Sequence, residues 1–376
     1  MLFFSIIIVV FMIAIGIYLY FLAKRFGQTC GFSLARKREK ALLWAIAALL
    51  CGIGLFFGTF GVVVLLHVVV LALLVQLVNF ILRITAKKRY EDGFSVWKKL
   101  YGFLVVPLVL TLLLLGYGYY NMHNVVQTSY TVYTEKSIRP KGYRVALLSD
   151  IHFGITLDEE ELRAVCAEVS AEKPDLVVLG GDIIDDATTK DGVEAVFRTL
   201  GGIESKYGIF YVYGNHDRPM SLIRSEYTAE DLVQAIESNG ITILKDETLN
   251  INDDLVLVGR DDRGFSLKKE GRAEIADLIK TVDQSRFVLT LDHQPKEYAQ
   301  NGEAGTDLLL SGHTHGGQIF PVNWISALIR SDDAVYGHTQ IDADTQAIVT
   351  SGLAGWGFPL KNAAPAEYVI VDIKAK

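Results

Sequence analysis

Apolar residues occur along this chain in two textures. Up to about residue 120 they form long unbroken runs; beyond it they form short runs, each closed by a polar cluster. Residues 2–23 carry no charge and are enough to cross a hydrocarbon core of about 30 Å. They lack a basic leader and a small-residue cleavage site, which predicts a retained helix, not a signal peptide. Residues 41–82 are again free of charge, about twice one span. Gly52, Gly54, Gly58 and Gly61 near the middle predict a tight turn between two helices. A fourth run ends in the interfacial aromatics Tyr117, Tyr119 and Tyr120. The expectation is four spans, at about residues 2–23, 41–59, 62–82 and 100–120, within a transmembrane region covering 1–121. Runs of this length without a polar face do not suit core helices of a soluble domain.

Residues 126–134 alternate as a strand does and are read, within 122–142, as a connector. From 143 to 376 the pattern predicts an α/β domain: strand-like runs at 144–149, 175–179, 209–213, 286–291 and 307–311, interleaved with helical spacing at 158–170 and 229–239. Gly240 suits the end of the second helix. Cys166 shares a helix face with Leu162, Val165 and Val169, so it reads as a small core side chain. With Cys30 and Cys51 it forms neither a CxxC pair nor a disulfide framework.

Charge follows the same division. The first 120 residues hold twelve Lys/Arg against Glu39, Glu91 and Asp92, a balance of +9; with the whole chain at −7, the remainder carries −16. So acidic a domain does not suit nonspecific nucleic-acid binding, and no nucleic-acid partner is expected. Lys24, Arg25, Arg36, Lys37, Arg38 and Lys40 fill the first loop, and Arg83, Lys87, Lys88, Arg89, Lys98 and Lys99 the third. The second loop has none, and none follows the fourth span until Lys136. The positive-inside bias then predicts a multi-pass cell-membrane protein with both termini and the catalytic domain extracytoplasmic. His67, inside the third span, is expected to be a neutral imidazole bonded to a neighbouring helix; it belongs to no series such as an ion path needs.

The polar clusters that close the strands carry the chemistry. They read Asp150-Ile-His152, Gly181-Asp182, Gly214-Asn215-His216-Asp217, Asp292-His293 and Gly312-His313-Thr-His315. Polar side chains at the C-terminal ends of neighbouring strands converge on one crevice. In extended backbone Asp150 and His152 would point to one side, as would His313 and His315. Glycines before Asp182, Asn215 and His313 permit sharp turns or close approach. Five of the eight histidines stand at such positions, beside Asp, Asn or Gly. That concentration points to metal binding, whereas His123 and His338 lack the setting.

The ordered set DxH, GD, GNHD, H, GHTH resembles the calcineurin-like metallophosphoesterase superfamily over about residues 143–373. Gly316-Gly-Gln-Ile319 and Gly355-Trp-Gly-Phe-Pro-Leu-Lys361 resemble its bacterial membrane-associated YkuE/YaeI-like branch, which often has arginine where this chain has Lys361. The resemblance implies two mixed β-sheets sandwiched by helices. It implies that Asp150, His152 and His315 hold one metal, that Asn215, His293 and His313 hold a second, and that Asp182 bridges them. His216 would be the non-ligand histidine beside the scissile phosphate, with Asp217 orienting it.

Such a centre suits phosphate esters, whose anionic oxygens repel nucleophiles. Two divalent ions about 3.5–4 Å apart neutralise that charge and yield a metal-bound hydroxide near neutral pH. Imidazole and carboxylate donors without thiolate favour Mn, Fe or Zn over soft-metal sites, and the number of histidines argues against Mg or Ca. His216 can protonate the leaving oxygen. Arg218 is open between a phosphate contact and a salt bridge, and Asp261 and Asp262 read as turn or supporting residues. The expected function is hydrolysis of a phosphodiester, phosphomonoester or pyrophosphate, with a lipid-linked or envelope ester favoured by a site held at a bilayer. The alternative is a membrane receptor that uses the same domain for binding without turnover. A missing ligand or a missing His216 would favour it, and neither is missing.

Overall fold

The computed structural model describes residues 2–185, 187–218, 226–266, 271–329 and 332–376. It divides into two compact units, Met1–Tyr117 and Gly118–Lys376. The first unit is helical: α1 (Leu2–Thr29), α2 (Lys37–Phe56), α3 (Gly58–Ala86), the short α4 (Lys88–Gly93) and α5 (Ser95–Gly102), and most of α6 (Val105–Met122). Four of these helices, α1, α2, α3 and α6, are long and apolar enough to cross a membrane, in the four places the sequence predicts. They overrun the apolar runs, α3 by a turn through Arg83, because a helix continues for as long as its backbone bonds are satisfied. The turn between α2 and α3 is tight. A Cβ on Gly61 would lie 2.8 Å from the carbonyl carbon of Gly54, so the two backbones meet where only hydrogen fits. His67 is fully buried, and its Nδ1 lies 2.8 Å from the Val63 carbonyl, one turn back in its own helix.

In the second unit the order is β1 (Val126–Thr134), β2 (Tyr143–Leu148), α7 (Glu159–Ala171), β3 (Leu176–Leu179), α8 (Lys190–Gly201), β4 (Ile209–Tyr211), α9 (Ala229–Ser238), β5 (Ile241–Ile243), β6 (Glu247–Asn250) and β7 (Leu255–Gly259). There follow α10 (Arg263–Ser266), α11 (Ile275–Ile279), β8 (Phe287–Leu291), α12 (Tyr298–Ala304), β9 (Leu308–Ser311), α13 (Val322–Ile329), β10 (Gly337–Gln340), β11 (Gln346–Val349) and β12 (Glu367–Ala375). Two mixed sheets result, in the orders β1-β12-β2-β3-β4-β5 and β10-β11-β9-β8-β7-β6. In the first, β2 to β5 run parallel; in the second, β7, β8, β9 and β11 do.

Residues 122–142 are more than a connector. β1 pairs with β12 over nine residues, from Val126–Glu367 to Thr134–Ala375, and so belongs to the first sheet. A strand that pairs with the end of the chain cannot be told from a linker by local pattern.

Alternation along the strands sorts the core into layers. Val145 and Leu147 of β2 join Val178, Phe210, Leu257, Leu289 and Leu310 in the cluster between the sheets. Ala146 and Leu148 face the other way, toward Leu162, Val169, Phe197 and Ile236 of α7, α8 and α9. Cys166 lies in that helical layer, its thiol pushed up to about 12 by burial, as suits an inert core side chain. α7 begins on a capping box, Asp158 accepting from Glu161 N while the Glu161 side chain accepts from Asp158 N.

Candidate metal centre

Each of the parallel strands β2, β3, β4, β8 and β9 ends in one of the polar clusters, so the two sheets deliver their side chains to one edge of the sandwich. Asp150, His152 and His315 present donor atoms within 4.8 Å of one another, and Asp182, His293 and His313 form a second such group. Asp182 lies between them: Oδ2 is 3.1 Å from His293 Nε2 and 3.8 Å from His152 Nε2 of the other group. His313 N donates to the Asp150 carboxylate at 3.0 Å, which ties the second group to the first.

The backbone that achieves this is not extended. Asp150, His152, Asp182, His313 and His315 all have positive φ, between 42° and 71°. Non-glycine residues rarely adopt this region, and such strain collects at functional sites. The left-handed turns replace the same-side geometry expected of the HxH pair, so His313 and His315 serve different groups. Close approach adds to the constraint. Gly181, at φ 90°, could not carry a Cβ without placing it 2.7 Å from His293 Nδ1 and 2.6 Å from Gly214 N.

The donor set fits two divalent cations. Asn215 Oδ1 is buried without a hydrogen-bond partner, an acceptor that a cation would satisfy, and His293 Nε2 has only the Asp182 carboxylate, 3.1 Å away, which a cation between them would share. His152 Nε2 and His315 Nε2 face one another at 3.3 Å, an approach that a shared cation makes favourable. Burial pushes the His315 imidazole down to about 3, keeping it neutral as a ligand must be. His293 goes the other way: burial opposes its charge, but the Asp182 carboxylate outweighs burial and raises its pKa well above the usual range. Asp182 is correspondingly lowered, chiefly by His293 against its own desolvation.

The partners of these ligands complete the arrangement. His293 Nδ1 is 2.7 Å from the Gly180 carbonyl and His315 Nδ1 is 3.3 Å from that of Ala354, which leaves each Nε2 for the cation. His152 Nδ1 is 3.1 Å from Asp185 Oδ2. That carboxylate also stands 4.0 Å from His216 Nδ1. Asp217 does something other than orient His216. Its carboxylate accepts from the backbone N–H groups of Asp182, Ile183, Ile184 and Gly214 and so shapes the turn that carries the bridging residue. Burial and the Asp182 charge raise the Asp217 pKa, against the pull of those N–H groups. The carboxylate that approaches His216 Nδ1 is thus that of Asp185, three residues after Asp182 in the run Gly-Asp-Ile-Ile-Asp.

Three further residues take shape only in the fold. The Trp356 ring, nearly half exposed, lies 5.6 Å from that of His216. Lys361 is wholly buried and donates to the carbonyls of Ser351, Gly352 and Ala354, gathering the loop whose Ala354 carbonyl meets His315. Burial brings its ammonium down to about 7. Arg218 pairs with Asp261 at 2.5 Å and lies over the Tyr213 ring, while Asp262 accepts from Gln294 Nε2, so both aspartates support the site's rim. His123 pairs with Glu161 at 3.6 Å and His338 with Gln346, away from the two groups, as their sequence setting suggests.

Residues 143–317 match the family model described as calcineurin-like phosphoesterase. The chain is 30% identical over 327 residues to an "Uncharacterized metallophosphoesterase" of Helicobacter pylori, covering 82% of this chain and 83% of that one. It is 30% identical over 273 residues to a protein of the same name from Aquifex aeolicus, covering 72% and 99%. It is 28% identical over 287 residues to a "Transmembrane protein with metallophosphoesterase domain" of Danio rerio, covering 72% and 62%. At 30% identity over most of both chains, the similarity to the first of these shows that this chain, with its four helices long and apolar enough to cross a membrane, belongs to the calcineurin-like metallophosphoesterases.

Proposed function

We propose that the chain hydrolyses a phosphodiester, phosphomonoester or pyrophosphate bond of a lipid-linked or envelope substrate, at a catalytic unit held outside the cell membrane. The observation that carries the reading is the Asp182 carboxylate standing between two cation-holding groups, with His216 beside them. Asp150, His152 and His315 would hold one ion and Asn215, His293 and His313 the other, with Asp182 contacting both. The ions, when bound, neutralise the ester's oxygens and acidify the attacking water.

The remaining work falls to side chains. His216, 22% exposed at the rim, can give its proton to the departing oxygen. Asp185 faces its Nδ1 and keeps the ring in the orientation that leaves Nε2 for that oxygen. Asp217 holds the Asp182 turn rigid through four N–H acceptances, so little reorganisation is left for the transition state. Trp356 offers an aromatic surface beside His216 for the leaving group. The lipid-linked assignment is supported by the four apolar helices, which keep the centre near a bilayer.

The test is hydrolysis of paired chromogenic phosphomonoester and phosphodiester substrates by the full chain, stripped of metal and reloaded with Mn²⁺. Metal-dependent turnover is expected, and the preferred ester narrows the substrate class. No turnover of either, with both ions bound by elemental analysis, overturns general phosphoesterase activity. Orientation has its own test in intact cells. A cysteine introduced near Thr134 is expected to react with an impermeant maleimide while one near Lys87 does not; equal reaction from outside rejects the extracytoplasmic placement.

A further inference from the structure

Among the described residues of the second unit, the exposed large aliphatic side chains are concentrated on one helix. Helix α13 reads Val-Asn-Trp-Ile-Ser-Ala-Leu-Ile, carries no charge and has no buried residue. Trp324, Ile325, Leu328 and Ile329 are 67, 51, 83 and 66% exposed. At positions i, i+1, i+4 and i+5 they share one face of the helix. Among the described residues from His123 onward, Val126 is the one other large aliphatic side chain left exposed. Water is a poor phase for such a face, and a patch of this kind marks a contact with protein or lipid.

Lipid is the occupant the surroundings favour. Gly118–Met122, the last turn of α6, belongs to the second unit. The Gly118 carbonyl accepts from Lys361 N, and Asn121 Nδ2 donates to the carbonyls of Lys361 and Ala364, both at 2.7 Å. Asn362, the next residue, accepts from Phe320 N at 2.8 Å through Oδ1 and donates to the Gln318 carbonyl at 2.9 Å. Phe320 in turn meets Trp324 edge to face at 5.0 Å. Two hydrogen-bonded residues thus join the end of a membrane-crossing helix to the first turn of α13. Tyr119 and Tyr120, exposed on that last turn, are the aromatics that favour the headgroup level. At its first turn α13 also borders a cleft of about 580 Å³ lined by Asn323, Trp324, Tyr336 and Gly316, the residue after His315.

We propose that α13 lies in the headgroup–acyl boundary of the bilayer that the chain itself crosses, with Trp324, Ile325, Leu328 and Ile329 facing the lipid. Short apolar faces bind such boundaries weakly when alone; here the adjoining span supplies the anchor. The contact holds the His315 segment at the lipid surface, where the phosphoester of a lipid headgroup would be found. The inference goes beyond the hydrolytic reading and does not depend on turnover.

The experiment uses the full chain in phosphatidylcholine vesicles, with Cys30→Ser and Cys51→Ala and an environment-sensitive fluorophore on Leu328→Cys. Leu113→Cys in α6 marks lipid and Glu160→Cys on α7 marks water. Doxyl-labelled lipid is expected to quench the Leu328 probe nearly as strongly as the Leu113 probe, and aqueous iodide only weakly. A Leu328 probe that behaves as the Glu160 probe does overturns the proposal. Protection from iodide without doxyl quenching also overturns it, since the face is then covered by protein such as a second copy of the chain. Should labelling at Leu328 disturb folding, Trp324 quenching by brominated acyl chains decides the matter. That chain carries Trp44, Trp97 and Trp356 as Phe. Unaltered Trp324 emission on bromination rejects the lipid contact.

Discussion

Asp182→Ala is expected to cost the centre at least one of its ions and bring turnover to background. The carboxylate is almost fully buried and reaches both cation-holding groups, at 3.1 Å from His293 and 3.8 Å from His152. The carboxylates of Asp150 and Asp217 are otherwise engaged: Asp150 belongs to the first group, and Asp217 accepts from four backbone N–H groups. Removing the anion between two cations leaves their repulsion uncompensated, so at least one ion is lost. Asp182 Oδ1 also accepts from His216 N at 2.8 Å, so the alanine variant loosens the turn that carries His216. Asp182→Asn, which keeps an oxygen for that bond but not the charge, separates the two effects. Elemental analysis of both variants checks the prediction. Two ions still bound in either would break the bridging assignment, whatever the activity.

His216→Ala is expected to retain both ions and lose about 10²–10⁴ in rate, the usual worth of a positioned general acid. The ring stands outside both donor groups, 5.4 Å from that of His152, and only its backbone N–H touches Asp182. The loss should be greatest for esters with poor leaving groups, which need the proton, and smallest for nitrophenyl esters, which do not. A loss independent of leaving group would assign His216 to binding, and full activity would remove its role. Asp185→Asn should show the same leaving-group dependence in weaker form, through the orientation of the same ring.

Much of the centre was legible before folding because its residues sit at the ends of short apolar runs. A run of alternating or wholly apolar residues closed by Asp, Asn or His is a local pattern, and locality is what a sequence displays. The residues of the two donor groups and the four apolar helices could be read in this way. Asp185 was missed although the sequence held a signal: a second carboxylate three residues after Asp182, available to a ligand histidine that needs a partner on Nδ1. Trp356 and Lys361 were visible as part of the run Gly355-Trp-Gly-Phe-Pro-Leu-Lys361, but their contacts were not. Their roles depend on a loop more than a hundred residues from His152 and His216 along the chain.

By itself the sequence determined what is written in nearest-neighbour terms: four apolar helices long enough for a bilayer, a family of strands and helices, and which side chains could bind cations. Only the tertiary structure decided the backbone path that brings those side chains together. Sheet order brings β8 and β9 to the same edge as β2, β3 and β4, and left-handed turns at the ligands send His313 to one group and His315 to the other. It likewise turned a supposed connector into an edge strand and gave Asp217 to the backbone of the Asp182 turn. The reason is physical: a side chain's partner is set by long-range pairing and by backbone dihedrals. Packing imposes both, and neither leaves a periodic trace in the residues themselves.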